Sequence, residues 1–286
     1  MPLDRLFRAV PPPALVLGGV LSVQVGAALA KQLFAQTGPV GVVTLRLVFA
    51  GLLLLAWWRP KLKLSLRTVG VVVAFGTVLG VMNVSFYLSI ERIPLGMAVT
   101  IEFLGPLLVA VGGSRRWYDA VWALLAGGGV LLLTEAGGRV DPVGLLLAAV
   151  AGACWGGYIL LGARLGEHTV GGSGLALATV WAALLVAPFG VASSGTELLD
   201  AKLLLVGIGV AVLSSVVPYS LEIEALRRMP AGVFGVLMSL EPAVAALAGL
   251  VVLGELLSLT QWLAVGCVVV ASVGATRTAR YQPRDA

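Results

Sequence analysis

Ile93-Pro94-Leu95-Gly96 running on to Leu104-Gly105-Pro106, and Met229-Pro230-Ala231-Gly232 running on to Leu240-Glu241-Pro242, are one pattern written twice. A shift of 136 carries Pro94 onto Pro230, Gly96 onto Gly232 and Pro106 onto Pro242. The same shift pairs Asn83 with Tyr219 and Asp119 with Glu255. Each copy is an apolar stretch with a proline inside it and a glutamate close by, Glu102 in the first and Glu241 in the second. Interrupted hydrophobic segments at matching places in two halves are the sequence pointer to a binding site between inverted repeats.

The rest of the composition gives that pair its solvent. The 286 residues are 59% hydrophobic and only 12% charged, with a mean hydropathy of +1.03. A water-soluble domain of this length cannot hide so much apolar surface, so the chain is expected in lipid. Its pI near 9.6 then reads as loop charge that sets topology, and no nucleic-acid partner is expected. Cys154 and Cys267 lie in apolar runs without ligand spacing and read as packing residues. His168, the single histidine, is expected in a loop, which argues against a histidine metal site or a His-dependent triad. Neither a cofactor nor a catalytic constellation is expected.

Ten runs of roughly twenty residues predict ten transmembrane helices. They cover 13–35, 38–58, 68–88, 95–113, 118–135, 142–162, 172–192, 203–224, 231–253 and 260–276. The first is too long for a signal peptide and is read as a retained span. With both termini cytoplasmic, fourteen Lys and Arg fall in inner loops and tails against three outside (Arg92, Arg139 and Lys202); Lys31 and Arg46 lie within spans. Residues 13–135 and 142–276 form two five-helix repeats between tails 1–12 and 277–286. Five is odd, so the second repeat is inverted relative to the first.

The sequence resembles the drug/metabolite transporter superfamily with two EamA-type repeats, and within it the threonine and homoserine exporters. The resemblance is carried by Ala30 to Phe34, by Asn83 to Pro94, by Glu102-Phe103-Leu104-Gly105-Pro106 and by Ser114-Arg115-Arg116. In the second half it rests on Gly152 to Trp155 with Tyr158 to Leu160, on Pro218 to Glu222, on Leu237 to Pro242 and on Gly254-Glu255. It implies ten helices in the inner membrane and export of small amino acids in exchange for protons. Another metabolite, an aromatic amino acid or a drug-like cation is the alternative cargo. The partners implied are a small-molecule substrate, protons and the lipid bilayer, with a homodimer left open.

Within the spans, polar residues need a partner or a task, since a charge at mid-membrane costs roughly 2.5–3.5 kcal/mol on insertion scales. Pro106 and Pro242 lack an N–H, so the carbonyls of Glu102 and Met238 lose their helical partners. A zwitterion needs a cation for its carboxylate, for which Lys31 or Arg46 qualifies, and an anion for its ammonium, for which Glu102 or Glu241 qualifies. The competing reading makes Arg46–Glu102 and Lys31–Glu241 ion pairs that hold the bundle. Asn83, Tyr158 and Tyr219 are candidate substrate contacts. Glu222 is expected at the cytoplasmic interface beside Arg227 and Arg228, sharing a face with Tyr219. Glu241, with no basic residue at its depth in its own half, is the favoured proton carrier.

Overall fold

The computed structural model describes residues 10–60, 64–112, 119–135, 140–169 and 172–279. The predicted tails largely fall outside these ranges, as do Ser114-Arg115-Arg116 and Arg139. Among the described residues every regular element is a helix. In order they are α1 (Pro12–Gln32), α2 (Phe34–Trp58), α3 (Leu66–Arg92), α4 (Leu95–Glu102), α5 (Leu104–Gly112) and α6 (Asp119–Glu135). The second half holds α7 (Pro142–His168), α8 (Ser173–Ser194), α9 (Ala201–Ala211), α10 (Val217–Arg228), α11 (Ala231–Met238), α12 (Glu241–Ala248) and α13 (Leu259–Ala279).

Nine helical stretches among the described residues are long and apolar enough to cross a membrane. The tenth predicted run, 118–135, contains a shorter apolar helix, Ala120–Leu133, and its flanks at 113–118 and 136–139 lie outside the described residues. Many large apolar side chains stand on the outer surface, among them Leu124 at 76% and Val251 at 81% exposure. In water such a surface would drive association; in hydrocarbon it is the solvent-facing side.

The helix ends follow local chemistry. Asp200 caps α9 through Lys202 and Leu203 N–H, and Ser65 caps α3 through Thr68 N–H. Gly38 interrupts α2 with φ 64°, a left-handed value that only glycine adopts without strain, and Pro39 follows it. Gly254 ends the second half's broken helix with φ 69°, and Glu255 N–H returns to the Gly249 carbonyl at 3.1 Å, a glycine-based helix stop. His168, expected in a loop, is the last residue of α7, its ring nitrogen 2.9 Å from the Arg164 carbonyl.

Under the correspondence of the first five predicted helices with the last five, the packing pairs exchange. α3 packs on α7 as α10 packs on α1, and α3 on α8 as α9 on α2. Likewise α4 and α5 lie on α7 as α11 and α12 lie on α1. The pairs α2–α8, α4–α12 and α6–α13 map onto themselves.

Glycine sets the closest of these crossings. A Cβ on Gly152 would stand 2.7 Å from the Glu102 carbonyl oxygen, and one on Gly105 would run into the Gly152 carbonyl. The carbonyl that Pro106 deprives of its N–H therefore lies against the bare Cα of a glycine on α7.

At one end of the bundle Arg92 bonds Asp141 at 3.0 Å and Ser89 donates to the Gly144 carbonyl at 2.8 Å, tying α3 to the start of α7. The Arg92 hydrogen bond, helped by Val143 N–H, holds the Asp141 carboxyl below its ordinary range. The exposed pair's small contribution is therefore present at neutral pH and is lost as pH falls through that lowered value.

Because backbone blocks both sides of the α5–α7 crossing, Gly105→Ala should lower stability by about 1–3 kcal/mol. Gly70→Ala, with open space around it, should be neutral or slightly stabilising. Thermal unfolding of the detergent-solubilised variants, with retention on size-exclusion chromatography, checks both.

Candidate functional site

A cavity of about 290 Å³ lies between the two broken helices. Its walls carry Gln24 from α1, Arg46 from α2, Asn83 from α3, Glu102 from α4, Tyr158 from α7 and Ser214 from the turn before α10. Tyr219 and Glu222 of α10 and Glu241 of α12 complete them. The lining continues toward the end that carries Trp58, His168 and Arg228, through Leu54, Leu175 and Glu222. A second hollow of about 200 Å³ extends from Tyr158 and Tyr219 toward Gly166 and Thr169 at that same end.

The helix breaks fall where the prolines place them. α4 stops at Glu102 and α5 resumes at Leu104, just before Pro106; α11 stops at Met238 and α12 resumes at Glu241, just before Pro242. Both breaks deliver a glutamate to the cavity, Glu102 and Glu241, each more than nine-tenths buried.

Pro218 makes a third break. The helix widens into a π turn over Val212–Val216, where Val217 N–H reaches the Val212 carbonyl five residues back. In the π register the N–H missing from Pro218 would have served Leu213, and in the α register Ser214, so this pair of carbonyls is one backbone donor short. Side chains replace it. Ser22 Oγ donates to the Leu213 carbonyl at 2.7 Å, and Arg46 Nη2 donates to the Ser214 carbonyl at 3.4 Å.

Arg46 is thus held without a carboxylate. Its Nη1 donates to Tyr87 Oη at 3.3 Å, its guanidinium carbon lies 5.5 Å from the Tyr87 ring centre, and its Nε is buried without a partner. The expected Arg46–Glu102 pair is not formed: among the described residues no ion pair within 4.0 Å joins them. The cavity instead presents one guanidinium and three carboxyl groups, Glu102, Glu222 and Glu241, as separate groups.

Lys31 lies elsewhere. Its Nζ is 2.6 Å from Glu255 Oε1 and 3.1 Å from the Ile93 carbonyl, and it does not line the cavity. Glu255 Oε2 accepts the Leu95 N–H at 2.7 Å, so one carboxylate binds Lys31 and caps α4. This stands in place of the competing Lys31–Glu241 pair, because the chain after Gly254 brings Glu255 to the end of α1. Glu222, expected at the interface beside Arg227 and Arg228, faces the cavity; Arg228 pairs with Glu224 one helical turn away at 4.0 Å.

Asn83 donates to the Leu79 carbonyl one turn back at 2.8 Å, which holds its amide at the cavity wall. Tyr158 leans on Phe75 with ring centres 4.6 Å apart, and Trp155 meets Phe103 edge-on at 5.4 Å. Sequence reasoning missed Gln24 and Ser214. Gln24 Nε2 donates to Glu241 Oε1 at 3.1 Å across α1 and α12. A lone amide in the first apolar run, and Pro218 read as Pro106 and Pro242 were read, were the available signals.

The model of the EamA-like transporter family matches residues 13–134 and again 142–277. The chain belongs to this family. It is similar to the threonine/homoserine exporter RhtA of Escherichia coli K12, 44% identical over 278 residues that cover 96% of this chain and 94% of that one. The RhtA proteins of Salmonella typhimurium are equally similar, at 44% over the same shares. An uncharacterised transporter of Bacillus subtilis, YwfM, is 25% identical over 78% of this chain and 70% of its own. A solved crystal structure matches with a TM-score of 0.60 over 93% of this chain and 98% of that one; at 19% identity it shows the fold alone. The relatives are named as transporters, and the EamA-like chain is read as a membrane transporter and not an enzyme.

Ser22→Ala should cost about 1 kcal/mol of stability by orphaning the Leu213 carbonyl. In a Pro218→Ala background, where the restored N–H serves that stretch of backbone, the cost of Ser22→Ala should fall toward zero. Unfolding of the four proteins of this double-mutant cycle in detergent reads the difference.

Proposed function

We propose that this chain is an inner-membrane secondary transporter that exports small zwitterionic amino acids of the threonine and homoserine kind. The observation that carries this reading is the 44% identity, over 96% of the chain, to exporters of threonine and homoserine. The cavity's chemistry agrees with it. Arg46 offers a guanidinium with an unpartnered Nε to a carboxylate, and the glutamates offer anions to an ammonium. A volume near the bottom of the range for small-molecule sites suits a small cargo.

In this reading 13–135 and 142–276 are inverted five-helix repeats, which the exchange of packing pairs supports. Both termini are cytoplasmic, as the loop charges favour. The cavity then faces the cytoplasm, and the Lys31–Glu255 pair, with its bonds to Ile93 and Leu95, closes the outer end. Export follows if binding lets the outer contacts part while the inner end shuts, and a proton returns on a glutamate that the cargo has left. A carboxyl that serves both proton and ammonium cannot hold the two at once, and that exclusion is sufficient to couple their opposite movements.

Proteoliposomes loaded with unlabelled threonine or homoserine should take up labelled amino acid by counterflow. Glu102→Gln and Glu241→Gln should each reduce exchange at least about tenfold while remaining folded, in line with the loss of a charge-assisted contact. Exchange of another metabolite class alone would keep the transporter and overturn the cargo.

For the outer closure, cysteines at Lys31 and Glu255 joined by a reducible crosslinker should stop exchange, and reduction should restore it. Exchange that continues while the link is intact would place the outer opening elsewhere.

A further inference from the structure

Gln24 is 2% exposed and spans from α1 to α12 to hold Glu241, itself 6% exposed. The bond uses Gln24 Nε2 and Glu241 Oε1. It leaves Gln24 Oε1 and Glu241 Oε2 buried, both acceptors, with no partner among the described residues. A buried amide–carboxyl pair with two vacant acceptors is costly unless something with several donors completes it. Both residues line the cavity. A proton on Glu241 Oε2 turns that acceptor into a donor that the Gln24 carbonyl can take, whereas the ionised carboxylate leaves both acceptors open and in need of two donors.

We propose that Gln24 and Glu241 together form a seat for a primary ammonium group, with Gln24 both positioning the carboxylate and reading the N–H count. This rests on the amino-acid exporter reading and deepens it by naming the group that is recognised. A primary ammonium carries three N–H donors, enough for the Glu241 carboxylate and the Gln24 carbonyl at once. Each N-methyl group removes a donor and adds bulk against a closed wall. A quaternary ammonium has charge and no donor, so it gains attraction from Glu241 and leaves the Gln24 carbonyl unpaired. The pair therefore selects primary amines over the methylated and quaternary cations that a bare glutamate in an apolar cavity would accept. Specificity of this kind comes from the polar group left unpaired by the wrong ligand.

The test uses the full chain in lipid nanodiscs and measures binding of L-homoserine, N-methyl-L-homoserine and N,N,N-trimethyl-L-homoserine. Wild type should bind the trimethyl compound about a hundredfold more weakly, about tenfold for each of the two hydrogen bonds lost, and the N-methyl compound in between, since it keeps two donors and adds only bulk. Gln24→Leu, and Gln24→Met as the less disruptive variant, should weaken homoserine about tenfold and leave the trimethyl compound unchanged, so that discrimination narrows. If wild type binds the trimethyl compound as tightly as homoserine, the seat is overturned whatever the variants do. If Gln24→Met weakens all three compounds equally, Gln24 is structural and the seat is again overturned. A wild type that binds no amino acid while transporting another cargo would sink the exporter reading, which is a different outcome from either of these.

Discussion

A backbone carbonyl with no hydrogen-bond partner is tolerable in water and costly in hydrocarbon. That constraint shapes this protein more than any other, because its sequence creates such carbonyls on purpose. Pro106, Pro218 and Pro242 each remove an N–H inside an apolar helix, and the bundle is arranged around what replaces it. Glu102's carbonyl is covered by the Cα of Gly152, so α5 and α7 must cross at glycine. The carbonyls of Leu213 and Ser214 take donors from Ser22 and Arg46, which binds α1 and α2 to the π turn. A polar core therefore exists before any ligand is considered. It consists of the groups that repair broken helices, together with the glutamates that the breaks deliver.

Arg46 shows how repair and recognition share residues. A guanidinium has five N–H donors, and the Ser214 carbonyl and Tyr87 hydroxyl occupy only part of that capacity. Had Arg46 been locked to Glu102, both charges would have been neutralised and the cavity would hold less to offer a zwitterion. Binding the guanidinium through neutral acceptors and an aromatic face keeps its charge available. The cost is a buried Nε without a protein partner, a penalty of the size that a bound carboxylate can relieve.

The helices and the two proline breaks were legible because they depend on local chemistry: run length, proline's missing N–H and glycine's freedom. Glu102 and Glu241 were legible for the same reason, as acids next to those breaks. Pairing across the bundle was not. The competing reading paired Arg46 with Glu102 and Lys31 with Glu241, yet position along a helix does not say which face a residue occupies, and Lys31 turns to Glu255. Glu222 was misplaced by its neighbours in sequence, since Arg227 and Arg228 made it look interfacial while the helix turned it inward. Gln24 gave no signal beyond being an amide among alanines and valines, because its meaning lies in a contact 217 positions away.

Glu255 links the end of α1 to the broken helix of the first half. One oxygen holds Lys31 at the end of α1, and the other holds the first N–H of α4 just after Pro94. The same lysine reaches the Ile93 carbonyl, the residue before that proline. A single ion pair therefore fixes α1, the loop after the second repeat's broken helix, and the start of the first repeat's broken helix. Separating it would release the N-terminus of α4, the segment that carries Glu102 at its other end. Eight residues make about two turns of helix, so in the proposed transport cycle a shift at Leu95 would carry Glu102 with it. The Lys31–Glu255 contact and the cavity acid Glu102 thus stand at the two ends of one short helix, which ties the ion pair to the cavity through a single element.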